Sequence, residues 1–409
     1  MILKSTFNAL FKLISGNAFS QIVVIVGTPF LTRVYSPSEF GILAVVNSFI
    51  MVLGVISSGR YDQLMYRYKS QEDRARCYSN GLVLSLGTSF LVLVVSGGLV
   101  SCRVIDLPFL LLAPLLLSFS IYQIYVSLLS VDGHYHSIIY SNIVRSVVLI
   151  ISQYALSELD VFGLIVGLLL SQISSMFVLI FFYHFKAGLT LKISCGFFDF
   201  KDAIFSSLQS LANSFSSQLP VIFIPYFFGL SVLGYYSLAI RLTQLPITFL
   251  SNAARPFIMG ELSRHKDQYH VVYRVLKWGS LGLLASGIFG IFLVNLYGET
   301  FFVIYAGKEW VMSGEIASAL SFWLLIAFAN IIATSYLTVS AKFKELFYYD
   351  FSLLLTRGGV VLACYMYSIT FIDFIYLYSY IGMLFNFLII YYAINIGKRH
   401  ERSTDCNDT

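Results

Sequence analysis

Charge is what this sequence has least of: Asp, Glu, Lys and Arg make up 11% of its 409 residues, against about 25% in a soluble globular domain. A surface so poor in charge does not face water over most of its area. Ligands for metals are scarce as well. The six histidines (His134, His136, His184, His265, His270 and His400) and five cysteines (Cys77, Cys102, Cys195, Cys364 and Cys406) contain no CxxC pair and no cluster with metal-ligand spacing. Free thiols and no metal site are expected. His134 and His136 stand two apart in a tight turn without a third ligand. No Gly-rich phosphate loop and no nucleophile motif occurs, so the chain shows no catalytic constellation and no cofactor is expected. The net charge of +5 is too weak and too scattered for a nucleic-acid partner.

What is present is hydrophobic. Apolar residues make up 58% of the chain and the mean hydropathy is +0.80. Runs of the roughly 20 apolar residues that a span needs recur from end to end. They lie at about 11–32, 40–59, 80–100, 107–130, 137–157, 162–184, 203–228, 232–256, 277–297, 316–340, 346–368 and 371–396. Polar residues dilute the signal most between 203 and 260. The first run continues to Leu31 without a small-x-small cleavage site, so it reads as a span and not as a cleavable leader. The fold class expected is all-α and polytopic, with about 12 membrane-spanning helices.

The basic residues orient these spans. Of 26 Lys and Arg, twenty fall on the side of the termini; only Arg33, Arg103 and Lys308 fall on the other, and Arg145, Arg241 and Arg357 lie within spans. The positive-inside rule then puts both termini in the cytoplasm. The longest outside loop, about residues 298–315, is too short to form a domain. Any function therefore sits in the membrane-embedded part, in contact with membrane lipid.

The two halves resemble each other. Asn17, Phe19 and Pro29 on span 1 recur at the same spacing as Asn213, Phe215 and Pro225 on span 7. Gly41 and Gly234 follow the next turn, and the spans after them end at Arg60 and Arg255. Arg145-Ser-Val-Val-Leu on span 5 answers Arg357-Gly-Gly-Val-Val-Leu on span 11. Six plus six spans in one orientation imply parallel repeats about an axis normal to the membrane. The boundaries expected are residues 1–195 for the first six-helix bundle, 196–397 for the second and 398–409 for a disordered cytoplasmic tail. Within the turn before span 2, Ser36-Pro37-Ser38-Glu39 has the spacing of a capping box with Pro at the first helical position.

Polar residues inside spans need a reason, because lipid cannot satisfy them. On span 8, Ser237, Arg241, Gln244, Thr248, Asn252 and Arg255 form one stripe at 3.6 residues per turn. Span 7 carries Ser206, Gln209, Ser210, Asn213 and Ser217; span 5 carries Asn142, Arg145, Ser146 and Gln153; span 1 carries Asn17, Gln21 and Thr28. Small polar residues also hold helices together, but arginines near mid-span point to a water-filled cavity. The nearest carboxylates, Asp62, Asp132, Asp350 and Asp373, lie towards the ends of the spans. Cations without partners suit an anionic substrate, and the planar fork of Arg suits phosphate. The candidate substrate-binding residues are Arg241, Arg357, Arg145, Gln244, Asn213, Asn47, Arg60 and Arg255.

Three segments carry a family resemblance: Ser15-Gly16-Asn17-Ala18-Phe19-Ser20-Gln21, the run from Pro29 to Gly41 through Arg33, Tyr35, Pro37 and Glu39, and Gly59-Arg60-Tyr61-Asp62. Together with Tyr305-Ala306-Gly307-Lys308-Glu309-Trp310, they resemble the O-antigen and polysaccharide flippases of the multidrug/oligosaccharidyl-lipid/polysaccharide exporter superfamily. Where that family usually carries Arg-Tyr-Glu, this chain has Arg60-Tyr61-Asp62, which keeps the charge and shortens its reach. The resemblance implies two six-helix bundles around a central cavity, alternating access, and an undecaprenyl-pyrophosphate-linked sugar repeat as cargo in a bacterial inner membrane. It leaves room for a polysaccharide polymerase and a chain-length regulator as partner proteins. A drug or cation exporter of the same superfamily would want carboxylates inside the spans, where this chain has arginines. A polysaccharide polymerase or ligase would want a large outside loop.

Overall fold

The computed structural model describes residues 18–68, 70–186, 200–264, 269–340 and 342–405. Among these residues every regular element is helical and none is a strand. The long helices begin with α1 (Ala18–Leu31), α2 (Pro37–Ser57), α3 (Gln71–Ser101), α4 (Leu112–Val131), α5 (Tyr135–Ala155) and α6 (Asp160–Phe181). They continue with α7 (Phe200–Phe228), α8 (Leu230–Arg264), α9 (Ser280–Ala306), α10 (Val311–Val339), α11 (Phe343–Tyr367) and α12 (Phe371–Asp405). Each falls on one predicted span, so this is an all-α multi-pass membrane protein. Nine helical stretches among the described residues are both long and apolar enough to cross a membrane. α1 is shorter, and α7 and α8 are the helices whose polar stripes lower their hydropathy. The start of span 1, including Asn17, lies outside the described residues.

Local chemistry sets the turns. Before α2, the Glu39 carboxylate accepts the Ser36 backbone N–H and the Ser36 hydroxyl, both at 2.7 Å, and Pro37 starts the helix where no amide partner is needed. This is the predicted capping box. α2 stops at Gly59 and Arg60, with φ of +56° and +58°; glycine takes that conformation freely, whereas arginine does so at a cost. α9 stops at Gly307, with φ of +110°. The chain then folds back so that the Trp310 amide donates to the Gly307 carbonyl at 3.1 Å. The buried Trp310 indole meets the Tyr235 ring edge-on at 5.8 Å. The Gly-x-x-Trp element is thus a helix stop and its anchor.

Packing divides the chain into two units, Met1–Gly234 and Tyr235–Thr409. The core of the first includes Tyr61, Cys77, Ile124, Leu128 and Leu179; that of the second includes Leu276, Ala329, Ala333, Leu337 and Ala393. This division falls later than the repeat boundary at 195/196. α7 opens the second repeat in sequence but packs against α2. The contact is tightest at one place: Gly41 lies against the Leu230 carbonyl oxygen and Gly234 against the Pro37 carbonyl oxygen, and a methyl group at either glycine would overlap that oxygen. At the other end of the chain, α12 runs on to Asp405, into the segment 398–409 where a disordered tail was expected. No proline interrupts it, and each added residue gains one more helical hydrogen bond.

Candidate functional site

Three arginines lie inside spanning helices, and each has different surroundings. Arg357, on α11, is 3% exposed. Its guanidinium carbon sits 4.2 Å from the centroid of Tyr378 and 4.5 Å from that of Trp323. Those two rings meet edge-on at 5.7 Å and form a corner that holds the cation. Tyr236 and Tyr349 lie within its electrostatic range. Its Nε and Nη2 find no hydrogen-bond acceptor, and it makes no ion pair with Asp350 or any other described residue. A desolvated cation over an aromatic face gains about 2 kcal/mol. That offsets part of the about 2.5–3.5 kcal/mol or more that a charge at the membrane centre costs.

Arg241, on α8, is half-buried. Tyr305 is the neighbour nearest in electrostatic effect, and no described carboxylate pairs with it. Gln244, one turn on, shares its face and is half-buried too. No described hydrogen bond or ion pair links Arg241 to Arg357. Arg145, on α5, is half-buried over the Tyr122 ring at 5.6 Å. The Tyr122 hydroxyl donates to Asn142 Oδ1 at 2.6 Å, so the cation rests on a tyrosine fixed by an amide of its own helix.

Three of the carboxylates nearest in sequence to these spans are engaged elsewhere. Asp132 pairs with Arg74 at 3.0 Å. Asp62 accepts the Ser58 hydroxyl at 2.8 Å, and Asp373 accepts the Thr370 hydroxyl at 2.5 Å. Arg60, beyond the end of α2, is half-buried with its Nε unpartnered. Burial lowers its pKa below the ordinary value, and the nearby Asp62 opposes that shift.

The remaining candidates divide. Asn47 is half-buried on α2 and Asn213 is exposed on α7. The side chain of Arg255, like those of Ser206, Gln209 and Asn252, lies outside the described ones. Part of the polar stripe on α5 is structural: Ser146 donates to the Ile143 carbonyl and Gln153 to the Leu164 carbonyl, each at 2.9 Å. Sequence reasoning missed the aromatic corner around Arg357. It also missed a buried amide pair, in which Asn330 Nδ2 donates to Asn386 Oδ1 at 2.6 Å. The depth criterion applied to the arginines would have found these asparagines. Among the described residues no group of three His, Cys, Asp or Glu could hold a metal ion.

The described residues form an all-helical fold with three arginines inside its spans, and solved structures share that fold. The fold matches lipid II flippase MurJ in an inward closed conformation, with a TM-score of 0.76 and 13% identity over 94% of this chain and 87% of that one. It matches an inward-facing multidrug resistance MATE family transporter of the MOP superfamily, with a TM-score of 0.71 and 11% identity over 95% and 96%. A MOP superfamily transporter from Pyrococcus furiosus gives 0.69 and 11% over 96% of each chain. The chain belongs to the polysaccharide biosynthesis protein family, whose model matches residues 30–313. No curated protein sequence matches it.

Proposed function

We propose that this protein flips an undecaprenyl-pyrophosphate-linked oligosaccharide, an O-antigen or similar repeat unit, from the cytoplasmic to the outer leaflet of a bacterial inner membrane. One observation carries the reading: Arg145, Arg241 and Arg357 lie inside spanning helices with no described carboxylate partner, in a member of a polysaccharide biosynthesis family. Buried positive charge without a counter-ion attracts an anion, and a low-dielectric surrounding extends its range. Arg241 and Gln244 offer donors from one face of α8, with Arg255 further along it. Asn47, Asn213, Arg60 and Arg145 are the other candidate residues, each in the first unit. Arg357 acts through its field, held by Trp323 and Tyr378.

In this reading the bundles 1–195 and 196–397 are the moving parts, both termini are cytoplasmic, and a polymerase and chain-length regulator receive the product. The turns before Pro37 and Leu230 then lie at the outer surface, and the crossing of Gly41 and Gly234 closes that side. A drug exporter of the same fold is disfavoured because cationic cargo would be repelled by these arginines.

The test is transport by purified protein in liposomes. Undecaprenyl-pyrophosphate-linked sugar should cross in a protein-dependent way, and a cationic dye such as ethidium should not. Dye transport without lipid-linked sugar transport would reverse the assignment. In cells, loss of the protein should remove surface polysaccharide and leave drug resistance unchanged.

A further inference from the structure

Basic residues on the side of the termini are neutralised at three places among the described residues: Arg74 by Asp132, Arg76 by Glu72 and Lys342 by Glu345, at 3.0, 3.2 and 3.5 Å. Arg274, Lys277 and Lys398 differ. All three are exposed, and none makes an ion pair with a described carboxylate. They come from two stretches far apart in sequence that packing brings together. The short helix Tyr269–Arg274 lies against α12. A methyl group at Gly397, the residue before Lys398, would stand 3.0 Å from Leu276 Cδ1 and 3.9 Å from Tyr273 Cα. Both stretches belong to the second unit.

Lys277 lies in a widened turn, Val275–Gly279, that joins the short helix to α9. Its Nζ stands 5.6 Å from the centroid of Trp278 and 6.0 Å from that of Tyr273. A ring face attracts the cation but accepts no hydrogen bond in the plane of its donors, so the ammonium N–H groups stay available to an anion. Trp278 is 65% exposed. An uncovered indole is favoured at the level of lipid headgroups, where its ring meets apolar matter and its N–H meets water. Leu281 and Ile288 follow along α9, both exposed, so the helix passes from this patch directly into hydrocarbon.

We propose that Arg274, Lys277 and Lys398 form a binding site for the phosphate headgroup of an anionic phospholipid such as phosphatidylglycerol, with Trp278 setting its depth. Three observations select this partner. Cations without counter-ions attract an anion. Their place beside the apolar face of α9 requires an anion held at a bilayer surface. The patch is open and not enclosed, so it meets the lipid present in bulk and not a scarce carrier lipid. Fixed charges act on anionic lipid within about a Debye length, about 8 Å at physiological salt. The site lies on other stretches than Arg241 and Arg357 and does not depend on which cargo moves. In the topology proposed above it faces the cytoplasmic leaflet, where one bound lipid joins the start of α9 to the end of α12.

The test is quenching of Trp278 fluorescence by brominated lipid in bilayers that mix phosphatidylglycerol with phosphatidylcholine. The Trp278→Phe protein supplies the background from Trp310 and Trp323. One basic residue near an anionic surface is worth about fivefold in binding. Brominated phosphatidylglycerol should therefore quench the wild type at a mole fraction about fivefold or more below that needed with brominated phosphatidylcholine. With Arg274→Gln, Lys277→Gln and Lys398→Gln combined, the two lipids should quench equally. Lys277→Arg, which keeps the charge, should keep the preference. These side chains are exposed, so the substitutions disturb no packing. Lys344→Gln removes another exposed cation on the side of the termini and should change nothing. Equal quenching of the wild type by the two lipids, a preference that survives the triple substitution, or an equal loss in Lys344→Gln would overturn the site. Relief of quenching by undecaprenyl phosphate at a mole fraction below that of brominated phosphatidylglycerol would overturn the phospholipid as its occupant.

Discussion

Gly41 and Gly234 each lie against the carbonyl oxygen four residues before the other, Leu230 for Gly41 and Pro37 for Gly234. The relation is reciprocal, each glycine leaving room for the first turn of the other helix. Both obstacles are backbone atoms, which cannot rotate away as a side chain can. Gly41→Val should therefore force the crossing open at a cost of about 1–3 kcal/mol, typical of overpacking. If the crossing seals the outer side, a cysteine at Asn47 should then react faster with a membrane-impermeant maleimide added outside, in a chain whose native cysteines are serine. Unchanged labelling would show that the seal lies elsewhere.

Tyr35 links the turn before α2 to the end of α5. Its hydroxyl donates to the Gln153 carbonyl at 2.6 Å. Burial, followed by the charges of Glu39 and Asp160, pushes its pKa from 10.0 up to about 12. The folded state thus holds the phenol proton more tightly than the unfolded chain does. This contribution to stability is complete below pH 10 and is lost as pH rises through about 12. Tyr35→Phe should lower stability by about 1 kcal/mol, the value of a typical hydrogen bond. The gap in thermal midpoint between wild type and variant should close as pH rises through that window. A gap that stays constant would mean the phenol does not titrate there.

Much of this fold is legible in the sequence. The twelve spans follow from apolar runs, and the capping box at Ser36 follows from four residues. Gly41 and Gly234 were visible as a repeat because spacing survives in sequence. Their mutual contact was not, because it depends on how two helices cross. The same limit applies at Arg357: its depth is readable, but Trp323 and Tyr378 come from two other helices and reach it only through tertiary packing. Gln153 looked like part of a polar stripe and instead donates to the Leu164 carbonyl. A hydrogen-bonding side chain within a span can face a cavity or a neighbouring backbone, and periodicity does not separate the two. The apolar signal is weakest over 203–260, and α7, the first helix of that region, packs against α2 in the first unit.

Topology follows from the distribution of basic residues and is checked by fusion. A reporter after Gly397 should read cytoplasmic, and one inserted beside Lys308 should read outside. Both reporters on one side would break the alternation and with it the assignment of Arg33, Arg103 and Lys308 to the outer surface.

Arg241 and Arg357 should respond differently to substitution, because one is half-buried and the other is enclosed. Arg357 has Nε and Nη2 without acceptors, and its charge is held only by the faces of Trp323 and Tyr378. Replacing a buried, poorly satisfied charge with an apolar group of similar volume is often neutral or stabilising, by about 1–4 kcal/mol. Arg357→Met should therefore raise or preserve the thermal midpoint in detergent. Arg357→Ala should lower it by leaving a cavity, at about 2–5 kcal/mol for a large-to-small change in a core. If the positive field attracts the pyrophosphate, Arg357→Met should still lose transport despite its stability. At Arg241 the order should be wild type, Arg241→Lys, Arg241→Ala, with expression unchanged. Lysine keeps the charge but lacks the two-pronged fork that grips phosphate. A stable Arg357→Met protein with full transport would show that this arginine has no part in cargo binding and would remove one of the three cations on which the anionic-substrate argument stands.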